Sequence, residues 1–182
     1  GYRVGKKYMN VGNNRIISYK NYFDASKNAL LVGLSNFRFE NNIDNNKECY
    51  DLISISKKDY LMLDLSYIQG GNENSYLSLV EAIKKMKPKE IFILCSDKTC
   101  SCGENTTSFI EAATKIKTTI IGCPTWGGWK TTKKIKVIRF DNFTVECGLD
   151  DRNVNLTYYW DLYKLPYPTE GIGATPDIYT DG

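Results

Sequence analysis

A mixed α/β core is predicted from three observations. Apolar runs of strand length alternate with amphipathic helical stripes between residues 29 and 121. Two of those runs end in Gly- or Ser-containing turns that lead straight into a helix. Segments of β character flank the alternation on both sides.

The elements follow in order. Residues 1–29 alternate polar and apolar, with a turn signal at Gly12-Asn13-Asn14 and a strand expected over Arg15–Tyr19. Ala29–Leu34 is a continuous apolar run, the pattern of a strand buried on both faces. Asn41–Asn46 reads as a loop. Cys49, Leu52, Ile53 and Ser56 then fall at helical spacing. Tyr60–Leu65 is the next buried strand, and a turn at Gly70-Gly71 leads into a helix. The stripe of that helix is Tyr76, Leu79, Val80, Ile83 and Met86, and Pro88 stops it. Glu90–Cys95 is a third strand. After a Ser/Thr/Cys-rich turn, Phe109, Ile110, Ala113 and Ile116 mark another helix, and Thr118–Ile121 a short strand. Beyond it the chain reads as mostly β. Ile135–Phe140 and Phe143–Cys147 flank Asp141-Asn142 as a hairpin, and Leu156–Tyr163 is rich in aromatics. The tail from Pro166 holds three of the five prolines and reads as an ordered loop packed on its neighbours.

Composition narrows the function classes. With 182 residues, 42% hydrophobic and 25% charged, the chain reads as one globular domain with its own core. A net charge of +3, with lysines scattered rather than clustered, argues against nucleic acid as a partner. No apolar run approaches the roughly 20 residues of a membrane span. The chain opens Gly1-Tyr2-Arg3 without an initiator Met, as expected of a processed product whose native N-terminus lies elsewhere.

The six cysteines read as mostly free thiols. The spacing Cys100-x-Cys102 is too tight for zinc, and no metal site or cofactor is expected. The chain contains no histidine. A Ser-His-Asp triad therefore cannot be assembled from these residues alone.

Two strand-to-helix turns hold the chemistry. One follows Tyr60–Leu65 and contains Gly70-Gly71; the other follows Glu90–Cys95 and contains Ser101. If the two strands are neighbours, both turns emerge at the sheet edge where α/β sites gather. Glycine lets backbone N–H groups approach a substrate, and a helix N-terminus favours developing negative charge. The N–H groups of Gly71 (with Gly70) and Cys102 could then form an oxyanion hole beside a Ser101 nucleophile. Taken singly, Ser101 also reads as a helix N-cap and Gly70-Gly71 as a plain turn.

The motifs around these turns resemble a known family. Asp64-Leu65-Ser66-Tyr67-Ile68-Gln69-Gly70-Gly71 resembles the D-L-R-x-N-x-G-G pattern of the tail-specific, or C-terminal-processing, serine peptidases. Thr99-Cys100-Ser101-Cys102-Gly103-Glu104 resembles their nucleophile motif, with Ser three residues before Glu. Gly122-Cys123-Pro124-Thr125-Trp126-Gly127-Gly128 resembles their G-x-P-T-x-G-[KG] segment. Glu170-Gly171-Ile172-Gly173-Ala174-Thr175-Pro176-Asp177-Ile178 resembles the ending of the tricorn-core-like branch. Leu31–Phe37 fits the strand that opens the family's core. The resemblance implies a crotonase/ClpP-like ββα spiral core with flanking β-hairpins. It also implies a peptide or protein substrate cleaved through a Ser101 acyl-enzyme.

Departures from the pattern are informative. The lysine that ends the third motif in the processing branch, where it is the general base, is Gly128 here. The resemblance then points to the other branch, in which an upstream histidine activates the serine and a glutamate, here Glu170, assists. Three alternatives follow. The base comes from an upstream module, or it has been lost in a peptide-binding pseudo-peptidase, or Lys130 replaces it with a pKa lowered by an apolar pocket. Besides a peptide or protein substrate, the expected partner is an oligomer mate or that upstream module. The Arg and Asn of the first motif are Ser66 and Ile68. The aromatics Tyr158, Tyr159, Trp160 and Tyr163 read as a sheet-packing cluster, with a groove for apolar peptide ends as the alternative. An acyl-CoA enzyme of the same fold has no motif in its support. Relatives are commonly exported, whereas free thiols suit a reducing cytosol.

Overall fold

The computed structural model describes residues 22–37, 39–40, 43–129, 132–139, 144–150, 160–166, 168–169 and 171–180. The strand expected over Arg15–Tyr19 lies outside the described residues. The elements are β1 (Tyr22–Ala25), β2 (Ala29–Gly33), β3 (Phe39–Glu40), β4 (Ile43–Asp44), α1 (Lys47–Ile55), β5 (Tyr60–Asp64) and α2 (Glu73–Met86). They continue as β6 (Glu90–Cys95), α3 (Cys102–Thr114), β7 (Thr118–Gly122), β8 (Thr132–Arg139), β9 (Thr144–Asp150) and β10 (Ile178–Tyr179).

The architecture is the mixed α/β one expected. Six strands form one sheet in the order β1-β2-β5-β6-β7-β10. Only β1 is antiparallel to its neighbour. Successive strand–helix–strand units advance in one direction from β2 to β7, the progression of a spiral core. The β8–β9 hairpin flanks it in the expected place, with strands somewhat longer than the alternation suggested.

That one-way progression corrects one expectation. The apolar runs over β2 and β5 were expected to be buried on both faces. Instead Leu30, Val32, Leu61, Leu63, Ile91 and Ile93 are buried, while Leu31, Met62 and Phe92 on the other face are only half-buried. Right-handed crossovers between strands that advance one way put every helix on the same face. The core agrees, because α1 contributes Cys49, Tyr50 and Ile53, α2 contributes its whole stripe, and α3 contributes Phe109 and Ile110 to one cluster with that face.

The helices end where local chemistry stops them. Lys87 takes φ 56° after α2, and Pro88 cannot continue it. Lys115 takes φ 62° after α3 and donates its N–H to Glu111 O at 2.8 Å, so Ile116 lies beyond the helix. Within α3, Thr106, Thr107 and Thr114 satisfy their hydroxyls on the carbonyls of Cys102, Gly103 and Ile110.

Three further readings change. The Asn41–Asn46 segment is not a plain loop, because Ile43–Asp44 pairs with Phe39–Glu40. Residues 160–163, expected among β segments, are helical. Trp160 packs edge-on against Phe109 at 4.7 Å between ring centroids and against Trp129 at 5.9 Å, and Tyr163 lies 5.7 Å from Phe109. The aromatics therefore pack on α3 rather than on a sheet; Tyr158 and Tyr159 lie outside the described residues. The tail does pack, and it adds a strand nobody would read from two residues: β10 pairs in parallel with β7. Among the described residues no helix is long and apolar enough to cross a membrane.

Candidate functional site

Three turns leave the C-terminal ends of β5, β6 and β7, which are neighbours in the sheet. They are laced together by backbone bonds. Cys100 N–H donates to Ile68 O at 3.1 Å, and Trp126 N–H donates to Thr99 O at 3.1 Å. Thr99 is fully buried and its hydroxyl donates to Leu65 O at 2.8 Å, pinning the second turn to the first.

Ser101 stands at the end of the second turn, immediately before α3. Its backbone is at φ 54° and ψ −123°. An N-capping serine ordinarily takes extended dihedrals with negative φ. A residue with a Cβ held in this region is strained, and such strain collects at functional sites. Its side chain meets Gly70: a Cβ on Gly70 would lie 2.6 Å from Ser101 Cβ and 3.0 Å from its Oγ. Gly70 (φ 89°) and Gly71 (φ 139°) both need the freedom of glycine.

Gly71 forms an isolated parallel bridge with Phe37. The bridge uses the Gly70 carbonyl, which accepts from Phe37 N–H at 2.7 Å, and the Asn72 N–H, which donates to Phe37 O. Gly71's own N–H therefore points away from Phe37. Cys102 opens α3 with its thiol buried toward Asn72 O at 3.9 Å. The structure thus brings Ser101, Gly70, Gly71 and Cys102 together. Lys130 and Glu170 lie outside the described residues.

Glu104 had no role in the sequence reading beyond its place in a motif. It is fully buried. One carboxylate oxygen, Oε2, accepts the Ser101 N–H at 2.9 Å. The other, Oε1, accepts the Thr125 hydroxyl at 2.6 Å and the Gly127 N–H. The Ser101 N–H also reaches Gly128 O at 3.1 Å. One carboxylate thus ties the strained serine to the third turn. The pattern Ser101-x-x-Glu104 is the sequence signature of a capping box, and it was the signal available for finding this residue.

The tail is strapped over the third turn. Ala174 N–H donates to Thr125 Oγ1 at 2.8 Å, Thr125 N–H to Ala174 O at 3.2 Å, and Gly171 N–H to Gly127 O at 2.8 Å. Trp129 adds its indole N–H to Ile172 O at 2.7 Å.

The Cys100 thiol is a poor nucleophile. Burial first, and then the Glu104 charge, push the Cys100 thiol above its ordinary value. Cys49, Cys95, Cys100 and Cys123 are free thiols. Among the described residues no cluster of three or more His, Cys, Asp or Glu is placed to hold a metal ion.

No protein-family model matches the sequence, and no curated protein is similar enough in sequence to match. The likeness to known proteins is in the fold. A lipoprotein from Streptococcus agalactiae is similar with a TM-score of 0.56 at 17% identity over 90% of this chain. The photosystem II D1 C-terminal processing protease is similar with a TM-score of 0.56 at 15% identity over 84% of this chain. The tricorn protease is similar with a TM-score of 0.50 at 16% identity, also over 84%. This chain spans 66%, 42% and 15% of the lengths of those three proteins, and what it shares with them is the fold of its α/β core.

Proposed function

We propose that this chain is a serine-peptidase core in which Ser101 is the nucleophile. The observation that carries the reading is the backbone of Ser101. A serine needed only as a cap gains nothing from φ 54° and ψ −123°, whereas a sharp strand-to-helix turn presents a hydroxyl to substrate. The likeness in fold to two proteases supports it.

The chemistry would run as follows. Ser101 Oγ attacks the peptide carbonyl carbon as a base takes the hydroxyl proton. The N–H groups of Gly71 and Cys102 stabilise the oxyanion. The Ser101 N–H is already engaged by Glu104 and Gly128, so it contributes nothing there. The C–N bond breaks, the base returns its proton to the leaving amine, and water then hydrolyses the acyl ester. The chain has no histidine, so a histidine base would come from outside these 182 residues, with Lys130 as the alternative within them. The test is a fluorophosphonate probe on the native full-length protein. A covalent adduct at Ser101, absent from Ser101→Ala, is expected. No adduct, together with peptide cleavage unchanged in Ser101→Ala, would overturn the reading.

A second reading, a peptide-binding pseudo-peptidase, is favoured by the absent histidine and by Gly128. Peptide cleavage separates the two. The peptidase reading expects the native full-length protein to cleave peptides and Ser101→Ala to lose that cleavage. Binding of the same peptides with no cleavage by the native protein would favour the binder.

A further inference from the structure

The three turns that surround Ser101 also wall a cleft of about 410 Å³. Tyr67 and Gln69 come from the first turn, Asp97, Lys98 and Cys100 from the second, and Trp126 from the third. Cys100 is bonded directly to Ser101, and Gln69 precedes the Gly70 that touches the serine side chain. The cleft therefore opens beside the candidate nucleophile.

Its walls select by chemistry. Trp126 is 68% exposed although its backbone is tied into the site, so folding leaves a large indole face uncovered at the cleft. Across the same cleft the Lys98 ammonium stands 5.0 Å from the centre of the Tyr67 ring. Asp97 and Lys98 are adjacent and of opposite sign, so an acidic or a basic side chain meets one attraction and one repulsion. An aromatic ring carries no net charge to be repelled. It can stack on Trp126 and offer its negative face to the Lys98 cation.

We propose that this cleft is the subsite that selects an aromatic side chain of the peptide beside the scissile bond. The proposal rests on Ser101 marking the point of cleavage. Stacking and cation–π contacts of this kind are worth roughly three- to tenfold in affinity.

The test uses binding, which does not need the base. Fluorescein-labelled heptapeptides of alanine with a single central Phe, Leu, Asp or Lys are titrated onto the Ser101→Ala protein, with anisotropy as the readout. The Phe peptide is expected to bind at least threefold more tightly than the Leu peptide and about tenfold more tightly than the Asp and Lys peptides. Trp126→Ala should bring the Phe-to-Leu ratio close to one. Equal affinities, a Phe preference that survives Trp126→Ala, or no binding of the Phe peptide would each overturn the proposal. Should Trp126→Ala fail to fold, the Phe-to-Leu ratio on the Trp126 protein and the effect of Lys98→Ala still decide it. Selective binding with no fluorophosphonate adduct on the native protein, and with peptide cleavage unchanged in Ser101→Ala, would sink the nucleophile and leave the cleft. An adduct without selectivity would sink the cleft alone.

Discussion

Ser101 is held in a conformation that costs a residue with a Cβ about 1–3 kcal/mol. Glu104 is the group that holds it, because its two oxygens collect donors from Ser101, Thr125 and Gly127 in a fully buried position. Removing such a hub strands the donors without water to replace it. Glu104→Ala should therefore cost about 3–5 kcal/mol of unfolding free energy in urea. Glu104→Gln keeps the shape but turns an amide donor toward groups that also donate, so it should cost about 1–3 kcal/mol. A loss below about 1 kcal/mol in the alanine variant would show that the bonds do not bear on stability. In the sequence Ser101 was legible as a candidate because the motifs around it, in order along the chain, resemble those of a peptidase family; taken alone it also read as a helix N-cap. The function of Glu104 was not legible, because two of its donors come from a segment more than 20 residues away.

Among the elements, β2, β5, β6 and β7 were read almost to the residue, and so were the stripe and the end of α2, since periodicity and a terminating Pro88 are local signals. The strap made by residues 171–174 was read only as a packed loop. Its contact with the third turn is so close that a Cβ on Gly173 would overlap the Thr125 carbonyl. Gly173→Ala must push the strap away and break the two Thr125–Ala174 bonds. A loss of about 2–4 kcal/mol is expected, visible as a lowered urea midpoint and as faster proteolysis of the tail. A midpoint equal to that of the unaltered protein would mean that the strap contributes nothing. The two-residue β10 shows why the tail escaped. Its pairing with β7 rests on long-range bonds that two residues of sequence do not display: Asp177 N–H donates to Ile120 O and Thr180 N–H to Gly122 O, both at 2.9 Å, and the Asp177 carboxylate accepts the Ile120 N–H at 2.8 Å.

Across the whole molecule, one core lies between the sheet and three helices; the Cys49 thiol sits inside it, and the Cys95 thiol is buried at the end of β6. Burial, chiefly, pushes Cys49 and Cys95 each from 9.0 to about 11. The folded protein keeps these protons where the unfolded chain loses them. Stability is therefore unaffected below about pH 9 and falls as pH rises from about 9 to about 11, by on the order of 2 kcal/mol per thiol. The Tyr50 phenol, also raised by burial, adds to the fall above about pH 10. Urea unfolding at pH 8, 9 and 10 checks the sign. A Cys49→Ala, Cys95→Ala double variant should flatten the part between pH 9 and 10. A decline that persists in that variant would assign it to other groups.

Ser101 and the glycines opposite it were visible in the chain itself, and so were the alternation of strands and helices from β2 to β7 and the lack of a histidine. These rest on residue type and on spacing over a few positions, which one sequence displays directly. The face left half-covered by the helices, the bonds gathered by Glu104 and the cleft beside Trp126 were decided by the tertiary structure. Each depends on which distant segments meet, and that is set by the hand of the crossovers and by the parallel sheet that lines up three turns at one edge.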